Sequence, residues 1–261
     1  KERILVLVAT SGDTGSAALE GFATQPGIDI AVFYPEHGVS EMQKRQMEAV
    51  KSPSTHVFAI DGNFDDAQRA VKFLLNDEEM RPYAQERGWV FSSANSINIG
   101  RLIPQMVYYF TSYVKLIQDG LLKDGELLDV SVPTGNFGDI LAGVYAKACG
   151  LPIGNFYCAS NENKVLADFF ETGTYDARRT FIKTSSPSMD ILVSSNLERY
   201  LYHLSGGDSD LIRKLFDDLK VGGSFTWPTN LADDMFGSST SQEETIRGIK
   251  EVYEEHGYLI D

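Results

Sequence analysis

Cysteine is scarce in this sequence: only Cys149 and Cys158 are present, on either side of an apolar Gly-Leu-Pro turn. Two cysteines in apolar company do not make a disulfide scaffold, and we expect a reduced, cytoplasmic protein. No apolar run approaches the length of a membrane span, and no signal peptide is visible. The sequence therefore predicts a soluble chain without a membrane partner.

Basic residues are also few, with 23 lysines and arginines against 37 acidic residues and a formal net charge of −14. Such a chain repels a phosphate backbone, which argues against nucleic acid as a partner. An anionic small ligand must then be bound by local dipoles and neutral donors, because the overall field repels it.

Metal and nucleotide signatures are missing. The four histidines have no metal-ligand spacing, and no His-Glu-x-x-His occurs. Residues 61–66 have the acidic spacing of a calcium loop, but the glycine of the sixth place is absent and Lys72 stands where a bidentate glutamate is needed, so we interpret them as a helix cap. Neither a P-loop nor a Gly-x-Gly-x-x-Gly is present. No metal is predicted.

Apolar runs and amphipathic stretches alternate along the 261 residues, which are 43% hydrophobic and suffice for one large or two modest domains. Strands are predicted near Ile4 and over residues 30–34, 56–60, 89–91 and 127–132, and helices from Ser16 and over residues 41–50, 65–75, 98–118 and 140–149. Strict alternation of strand and helix predicts an α/β fold with parallel sheets.

Two glycine-containing turns lie between an apolar strand and an amphipathic helix. They are Ser11-Gly12-Asp13-Thr14-Gly15 and Gly135-Asn136-Phe137-Gly138-Asp139. At such a turn, unpaired N–H groups converge with the positive end of the helix dipole, and glycine lets an anion approach the main chain. Two of them in one sheet would face one ligand, although a tight connection without a ligand explains each turn equally well by itself.

Four phrases, in this order and spacing, resemble those of threonine synthases. They are Ala9 to Gly15, Ser93 to Leu102, Val132 to Asp139 and Ser186 to Arg199. The resemblance runs from the first strand to the last residue. It implies the pyridoxal phosphate fold type II (tryptophan synthase β-like), with two open parallel-sheet α/β domains and the active site in the cleft between them. The implied domains are residues 1–95, with the first turn, and 96–261, the larger cofactor domain with the second turn.

The resemblance also implies a reaction and a set of site residues. Threonine synthases are carbon-oxygen lyases that convert O-phospho-L-homoserine and water to L-threonine and phosphate with pyridoxal 5'-phosphate, in the last step of threonine biosynthesis. The family pattern assigns cofactor binding to Gly135, Asn136, Phe137, Gly138, Asp139 and Asp13. It assigns substrate binding to Ser11, Gly12, Asp13, Thr14, Gly15, Asn95, Ser96 and Asn98. These groups are neutral donors for the most part, which suits an anionic substrate without a permanent ion pair.

The catalytic lysine of the family is missing from this sequence. The family joins its cofactor to a lysine in a Phe-Lys-Asp phrase upstream of the first turn, and none of the twelve lysines here stands in such a phrase. Lys44 and Lys147 are interpreted as solvated helix lysines. No catalytic residue is assigned within the chain, which is expected to be inactive alone.

We therefore expect an internal fragment that lacks the part with the lysine and a C-terminal part. Its sequence ends just after a helix closed by Gly257, and an upstream part leaves room for a targeting segment. A naturally shortened relative is the alternative.

Two other functions remain open. One is another type II enzyme, such as a serine or threonine dehydratase, although the Asn-Ser-Ile-Asn and Gly-Asn-Phe-Gly-Asp phrases argue against it. The other is a non-catalytic member that binds a phosphorylated ligand. The sequence does not decide between a monomer and a homodimer.

The missing lysine gives a direct prediction. When the 261-residue chain is mixed with pyridoxal phosphate and treated with borohydride, we expect only scattered adducts on exposed lysines and none concentrated on a single buried lysine, because the lysine that forms the internal aldimine in the family is missing. Mass spectrometry of the digested protein checks this. An adduct on one buried lysine would contradict the prediction.

Overall fold

The computed structural model describes residues 2–96 and 98–260, except for the side chain of Asp65. The chain divides after Arg101 into two compact units, residues 1–101 and 102–261. The sequence prediction placed the change of domain six residues earlier, between Asn95 and Ser96.

Unit 1 is a four-stranded parallel sheet in the order β3-β2-β1-β4 with helices in the connections. Its elements are β1 (Arg3–Ala9), α1 (Asp13–Phe22), β2 (Ile28–Pro35), α2 (Glu41–Ala49), β3 (Thr55–Ile60), α3 (Phe64–Asn76), α4 (Met80–Glu86) and β4 (Trp89–Ser93). Alternate residues of β1 enter two different cores: Val6 and Val8 pack with Leu19, and Leu7 packs with Val71. Burial on both faces is expected of a central parallel strand.

Unit 2 contains a three-stranded parallel sheet in the order β5-β6-β9 and a separate antiparallel pair, β7-β8. The helix α5 (Ile99–Gln118) begins in the last residues of unit 1. The remaining elements are β5 (Leu128–Pro133), α6 (Gly138–Ala148), β6 (Ile153–Ser160), α7 (Val165–Thr172), β7 (Thr174–Asp176), a 3-10 turn (Pro187–Met189), α8 (Leu197–Leu204), α9 (Ser209–Gly222), β8 (Ser224–Thr226), β9 (Met235–Ser239) and α10 (Gln242–His256).

The predicted α/β class with parallel sheets is confirmed, but strict alternation is wrong. Helix α4 follows α3 and α9 follows α8 with no strand between them, and β9 follows β8 with no helix between them. In addition, β7 pairs with β8 in the antiparallel sense. Both predicted site helices also begin earlier than expected, at Asp13 instead of Ser16 and at Gly138 instead of Ile140. The glycine turns are therefore shorter, and their last residues form the first turn of a helix.

Residues 61–66 form the helix cap that the sequence predicted. Asn63 Oδ1 accepts a hydrogen bond from the Asp66 N–H at 3.0 Å, and the Asp66 carboxylate accepts from the Asn63 N–H at 2.9 Å. This reciprocal capping box begins α3 and uses the acidic side chain that a calcium loop would need.

The position of α6 depends on a close approach at Gly143. A Cβ atom there would lie 2.7 Å from ring carbons of Phe156 on β6 and Tyr109 on α5. Tyr109 in turn donates a hydrogen bond from its hydroxyl to the main-chain oxygen of Asp139 at 2.8 Å. Only a residue without a side chain lets the two rings pack against α6 and fix its first turn.

We therefore expect Gly143→Ala to lower the free energy of unfolding by about 1–3 kcal/mol, because the rings must move. The matched control is Gly248→Ala in α10, where a Cβ meets nothing within 4 Å. That change should raise the stability by about 0.5–1 kcal/mol, since alanine is the better helix former. Urea unfolding followed by circular dichroism measures both, and a harmless Gly143→Ala would contradict the packing account.

Candidate functional site

The turn between β5 and α6 is built around a left-handed phenylalanine. Phe137 has φ 61° and ψ 9°, and it is the only non-glycine residue with positive φ in the described part of the chain. Its ring is buried and lies 5.3 Å from Tyr200 and 5.9 Å from Phe170, centroid to centroid. A left-handed phenylalanine costs about 1–2 kcal/mol, which the burial of its ring offsets.

The left-handed residue leaves the start of α6 open. No side chain caps this helix, and its first hydrogen bond runs from Leu141 N–H to Phe137 O at 3.2 Å. The N–H groups of Gly138, Asp139 and Ile140 therefore have no acceptor within the helix. A left-handed residue next to a right-handed one turns successive N–H groups to the same side, which makes a concavity for an anion. We call residues 135–139 the phosphate cup, after the ligand that the sequence analysis expects there.

Asp139 lies in the first turn of α6 and is partly withdrawn from water. Burial raises the pKa of its carboxyl above the ordinary value of 3.8, against a smaller lowering by Tyr109. Within the described residues, Asp139 Oδ1 and Asn136 Oδ1 are buried without a hydrogen-bond partner. Because the folded-state pKa of Asp139 is raised, the neutral carboxyl favours the folded state at a pH below 3.8, and this contribution is lost as the pH rises through the raised pKa.

The turn before α1 uses its N–H groups differently. The buried Thr10 hydroxyl oxygen accepts hydrogen bonds from the N–H groups of Gly12 and Gly15, both at 2.9 Å. These two N–H groups are therefore occupied within the turn. The N–H groups of Asp13 and Thr14 are the first two of the helix.

Gln43 on α2 holds the side chain of Asp13. Its Nε2 donates to Asp13 Oδ1 at 2.9 Å, and its Oε1 accepts from the Ser40 N–H at 2.9 Å. The same amide lies where a side chain on Gly12 would be, since a Cβ there would collide with the amide carbon. With φ 140°, Gly12 is restricted to glycine by its backbone as well.

The predicted substrate residues Asn95 and Asn98 bind main-chain groups in this structure. Asn95 Oδ1 accepts from Ala9 N–H at 2.9 Å and its Nδ2 donates to Ala9 O at 2.5 Å. Asn98 Nδ2 donates to Ser93 O at 2.8 Å, and its Oδ1 accepts from Gly100 N–H at 2.9 Å. Both amides join the ends of neighbouring strands and the start of α5. Ile97, in the same phrase, lies outside the described residues.

Arg101 is a cation near the first turn that the sequence analysis did not assign. Its guanidinium donates to Ala94 O at 3.0 Å and to Thr14 Oγ1 at 3.2 Å. Together with Asn98 it lines a depression of about 440 Å³ in unit 1. The signal was present in the sequence, because Arg101 belongs to the phrase that contains Asn95 and Asn98.

The predicted site residues thus form two groups. Ser11 to Gly15 lie after the carboxyl end of β1, and Asn95, Ser96 and Asn98 follow the neighbouring parallel strand β4, all in unit 1. Gly135 to Asp139 follow β5 in unit 2.

Lys147 and Cys149 differ from their predicted environments. Lys147 Nζ lies 2.6 Å from Asp234 Oδ2 and donates to Gly154 O at 2.7 Å, so this lysine is paired instead of freely solvated. Cys149 is exposed, whereas Cys158 is buried, and burial raises the pKa of the Cys158 thiol to about 12. The exposure of Cys149 follows from its place at the C-terminus of α6.

Two further searches concern the described residues alone. None of their helices is both long and apolar enough to cross a membrane. No group of three or more histidine, cysteine, aspartate or glutamate side chains is arranged to hold a metal ion in this part of the chain.

The contact between Gln43 and Asp13 gives a stability prediction. In Gln43→Glu a carboxylate oxygen replaces the amide donor beside Asp13, and we expect a loss of at least about 1 kcal/mol in the free energy of unfolding at neutral pH. Gln46→Glu changes the same charge on the exposed face of α2 and should cost less than about 0.5 kcal/mol. Urea unfolding at pH 7 and in acid measures both. The difference in stability loss between the two variants should become smaller in acid, where carboxylates are protonated. Equal losses at pH 7 would contradict a stabilising hydrogen bond from Gln43 to Asp13.

Comparison with known proteins identifies relatives over the whole chain, although no protein-family model matches it. Threonine synthase-like 1 of Homo sapiens is 42% identical over 268 residues, which cover 98% of this chain and 36% of that protein. Threonine synthase of Pseudomonas aeruginosa is 40% identical over 266 residues, covering 100% of this chain and 54% of that protein.

Solved structures agree with these relatives. The structure of pyridoxal phosphate-bound threonine synthase from Brucella melitensis has a TM-score of 0.83 at 39% identity, covering 100% of this chain and 55% of that one. Maize serine racemase has a TM-score of 0.58 at 13% identity, covering 98% of this chain and 62% of that one, which shows the shared fold alone. The chain spans about half the length of the threonine synthases it matches. By sequence and by fold, it belongs to the threonine synthase family of fold type II enzymes.

Proposed function

We propose that the natural protein containing this chain is a pyridoxal phosphate-dependent threonine synthase, a lyase that converts O-phospho-L-homoserine and water to L-threonine and phosphate in the cytoplasm. The proposal rests above all on the phosphate cup, whose uncapped helix start follows the only left-handed non-glycine residue in the described part of the chain. Units 1 and 2 would be parts of the smaller domain and of the cofactor domain.

The cup fits the phosphate of the cofactor in its donors and its shape. Neutral main-chain N–H groups at the start of α6 suit a dianion that the acidic chain as a whole repels. Gly135 and Gly138 bracket Asn136 and Phe137, and neither glycine adds a side chain to the concavity. The cofactor, when bound, supplies the electron sink for the reaction, and Asp13 would face its ring oxygen.

The turn before α1 suits the carboxylate of an amino acid substrate. Asp13 and Thr14 present the first N–H groups of α1, and the hydroxyls of Ser11 and Thr14 add donors. Arg101 places a positive charge on Thr14 Oγ1 at 3.2 Å, which strengthens the local field for an anion. With Thr10 holding the N–H groups of Gly12 and Gly15, these residues would shape the turn and not donate to the substrate.

Binding without synthesis is the second candidate function. The observation that favours it is the 42% identity to threonine synthase-like 1, a protein named for its likeness to a threonine synthase and not for that activity. The absence of the family's lysine phrase from these 261 residues does not separate the two functions, because the chain spans about half of the synthases it matches.

The test uses the natural protein that contains these residues, supplied with pyridoxal phosphate and O-phosphohomoserine. We expect threonine and phosphate in equal amounts. Cofactor binding with neither product would favour the non-catalytic member. When threonine is supplied in place of O-phosphohomoserine, formation of 2-oxobutanoate and ammonia would favour a dehydratase.

A variant pair connects that activity to the first turn. We expect Thr14→Val to lower kcat/KM by about 10-fold or more, since the hydroxyl beside Arg101 is lost. Thr24→Val makes the same change at an exposed site after α1 and should leave kcat/KM within about twofold. Equal kcat/KM values for the two variants would contradict a role for Thr14 in substrate binding.

A further inference from the structure

The main-chain carbonyl groups of the phosphate cup are held by a segment about sixty residues further along the chain. Ser194 Oγ donates to Gly135 O at 2.7 Å. The N–H and the Nδ2 of Asn196 both donate to Asn136 O, each at 3.0 Å. Ser194 and Asn196 are 1% and 0% exposed, so these hydrogen bonds are shielded from competition by water.

The hydrogen bonds to the two carbonyls also determine where the next N–H groups point. In a planar trans peptide, the C=O of one residue and the N–H of the following residue point in opposite directions. Holding Gly135 O toward Ser194 therefore directs the N–H of Asn136 away from Ser194. In the same manner, holding Asn136 O toward Asn196 directs the N–H of Phe137 away from Asn196. Both N–H groups turn away from the segment that holds the carbonyls.

The holding residues are themselves fixed by buried contacts. The hydroxyl of Tyr175 accepts from Ser194 N–H at 2.9 Å and donates to Leu192 O at 3.0 Å. Asn196 Oδ1 accepts from Arg199, so both ends of its amide are used. A buried residue held on both sides keeps its donor in one direction, as a group that orients another group must do.

The segment before Ser194 is anchored by hydrogen bonds to Asp190. Oδ1 of Asp190 accepts hydrogen bonds from Asn161 Nδ2 and from Thr184 Oγ1, each at 2.8 Å. Oδ2 of Asp190 accepts a hydrogen bond from the Thr184 N–H at 2.9 Å. The same stretch lies on the cup, because a Cβ atom on Gly135 would come 2.8 Å from Ser188 O. The Ser-Pro-Ser-Met-Asp phrase thus has a structural role beside the cup.

We propose that Ser194 and Asn196 are positioning residues that orient the N–H groups of Asn136 and Phe137 toward a phosphate monoester. They act through the two peptide planes and do not touch the ligand. This inference rests on the proposed function for the identity of the ligand, pyridoxal phosphate.

Ser195 provides a matched control next to Ser194. Its hydroxyl is buried but has no hydrogen-bond partner within the described residues. Ser194→Ala and Ser195→Ala therefore remove the same atom from adjacent positions, and only the first removes a contact with the cup. Ser194→Thr keeps the hydroxyl and tests for rescue.

The experiment measures the affinity of the natural protein that contains these residues, freed of bound cofactor, for three probes: pyridoxal phosphate, pyridoxal and inorganic phosphate. Titrations followed by the amide resonances of Asn136 and Phe137 report binding at the cup itself. We expect Ser194→Ala to lower the affinity for pyridoxal phosphate and for inorganic phosphate by about 5- to 10-fold, which is the equivalent of one hydrogen bond. The affinity for pyridoxal should change less than about twofold. Ser195→Ala should match the wild type, and Ser194→Thr should recover most of the affinity.

The outcomes separate positioning from general support of the fold. Equal weakening of pyridoxal phosphate and pyridoxal, or equal effects of Ser194→Ala and Ser195→Ala, would overturn the proposal and leave the proposed function standing. A wild-type protein that binds the phosphorylated probes no more tightly than pyridoxal would overturn both the positioning role and the proposed function. If the selective loss is seen but the natural protein makes no threonine, the positioning role stands and the synthase activity fails.

Asn196→Asp provides an independent arm. It replaces the donor that faces Asn136 O with a carboxylate oxygen at nearly constant volume. We expect it to lower the affinity for the phosphorylated probes at least as much as Ser194→Ala does. Circular dichroism confirms that the variant is folded. A folded Asn196→Asp chain with wild-type phosphate affinity would overturn the role of Asn196.

Discussion

The rest of the candidate site in unit 2 depends on the left-handed backbone of Phe137. This conformation makes α6 begin abruptly at Gly138, without a side-chain cap, and leaves its first N–H groups open. The strain is retained because the ring is packed in an aromatic cluster with Phe170 and Tyr200. A glycine would adopt the same φ without strain but could not anchor the turn in the core, so the phenylalanine joins a concave backbone to a buried side chain.

The two turns are held in place by different groups. Before α1, the hydroxyl oxygen of Thr10 accepts hydrogen bonds from two N–H groups of the turn, so the donors of the turn hold it in place. Before α6, Ser194 and Asn196 donate to the carbonyls of Gly135 and Asn136, so the turn is held through its carbonyl oxygens and not through its N–H groups. The second arrangement suits a phosphate dianion, which needs several N–H groups, better than the first does.

Local electrostatics oppose the overall charge of the chain. The formal charge of −14 repels an anion, so attraction must come from groups at the turns themselves, such as the dipole of α6 and Arg101. Burial adds a further effect at Asp139, because its raised pKa favours the neutral carboxyl. A phosphate nearby would shift that pKa in the same direction, since like charges disfavour ionisation.

The sequence by itself determined the family, the α/β class and both turns, because a strand followed by a glycine turn and a helix is a local pattern. It also predicted the helix cap in residues 61–66, again from neighbouring residues. It did not reveal that Gln43 holds Asp13, that Asn95 binds Ala9, or that Ser194 and Asn196 hold the cup. Those pairs are separated by 30, 86, 59 and 60 positions. Only the tertiary structure decided them, because a hydrogen bond depends on distance in space, and one sequence contains no record of which distant residues become neighbours.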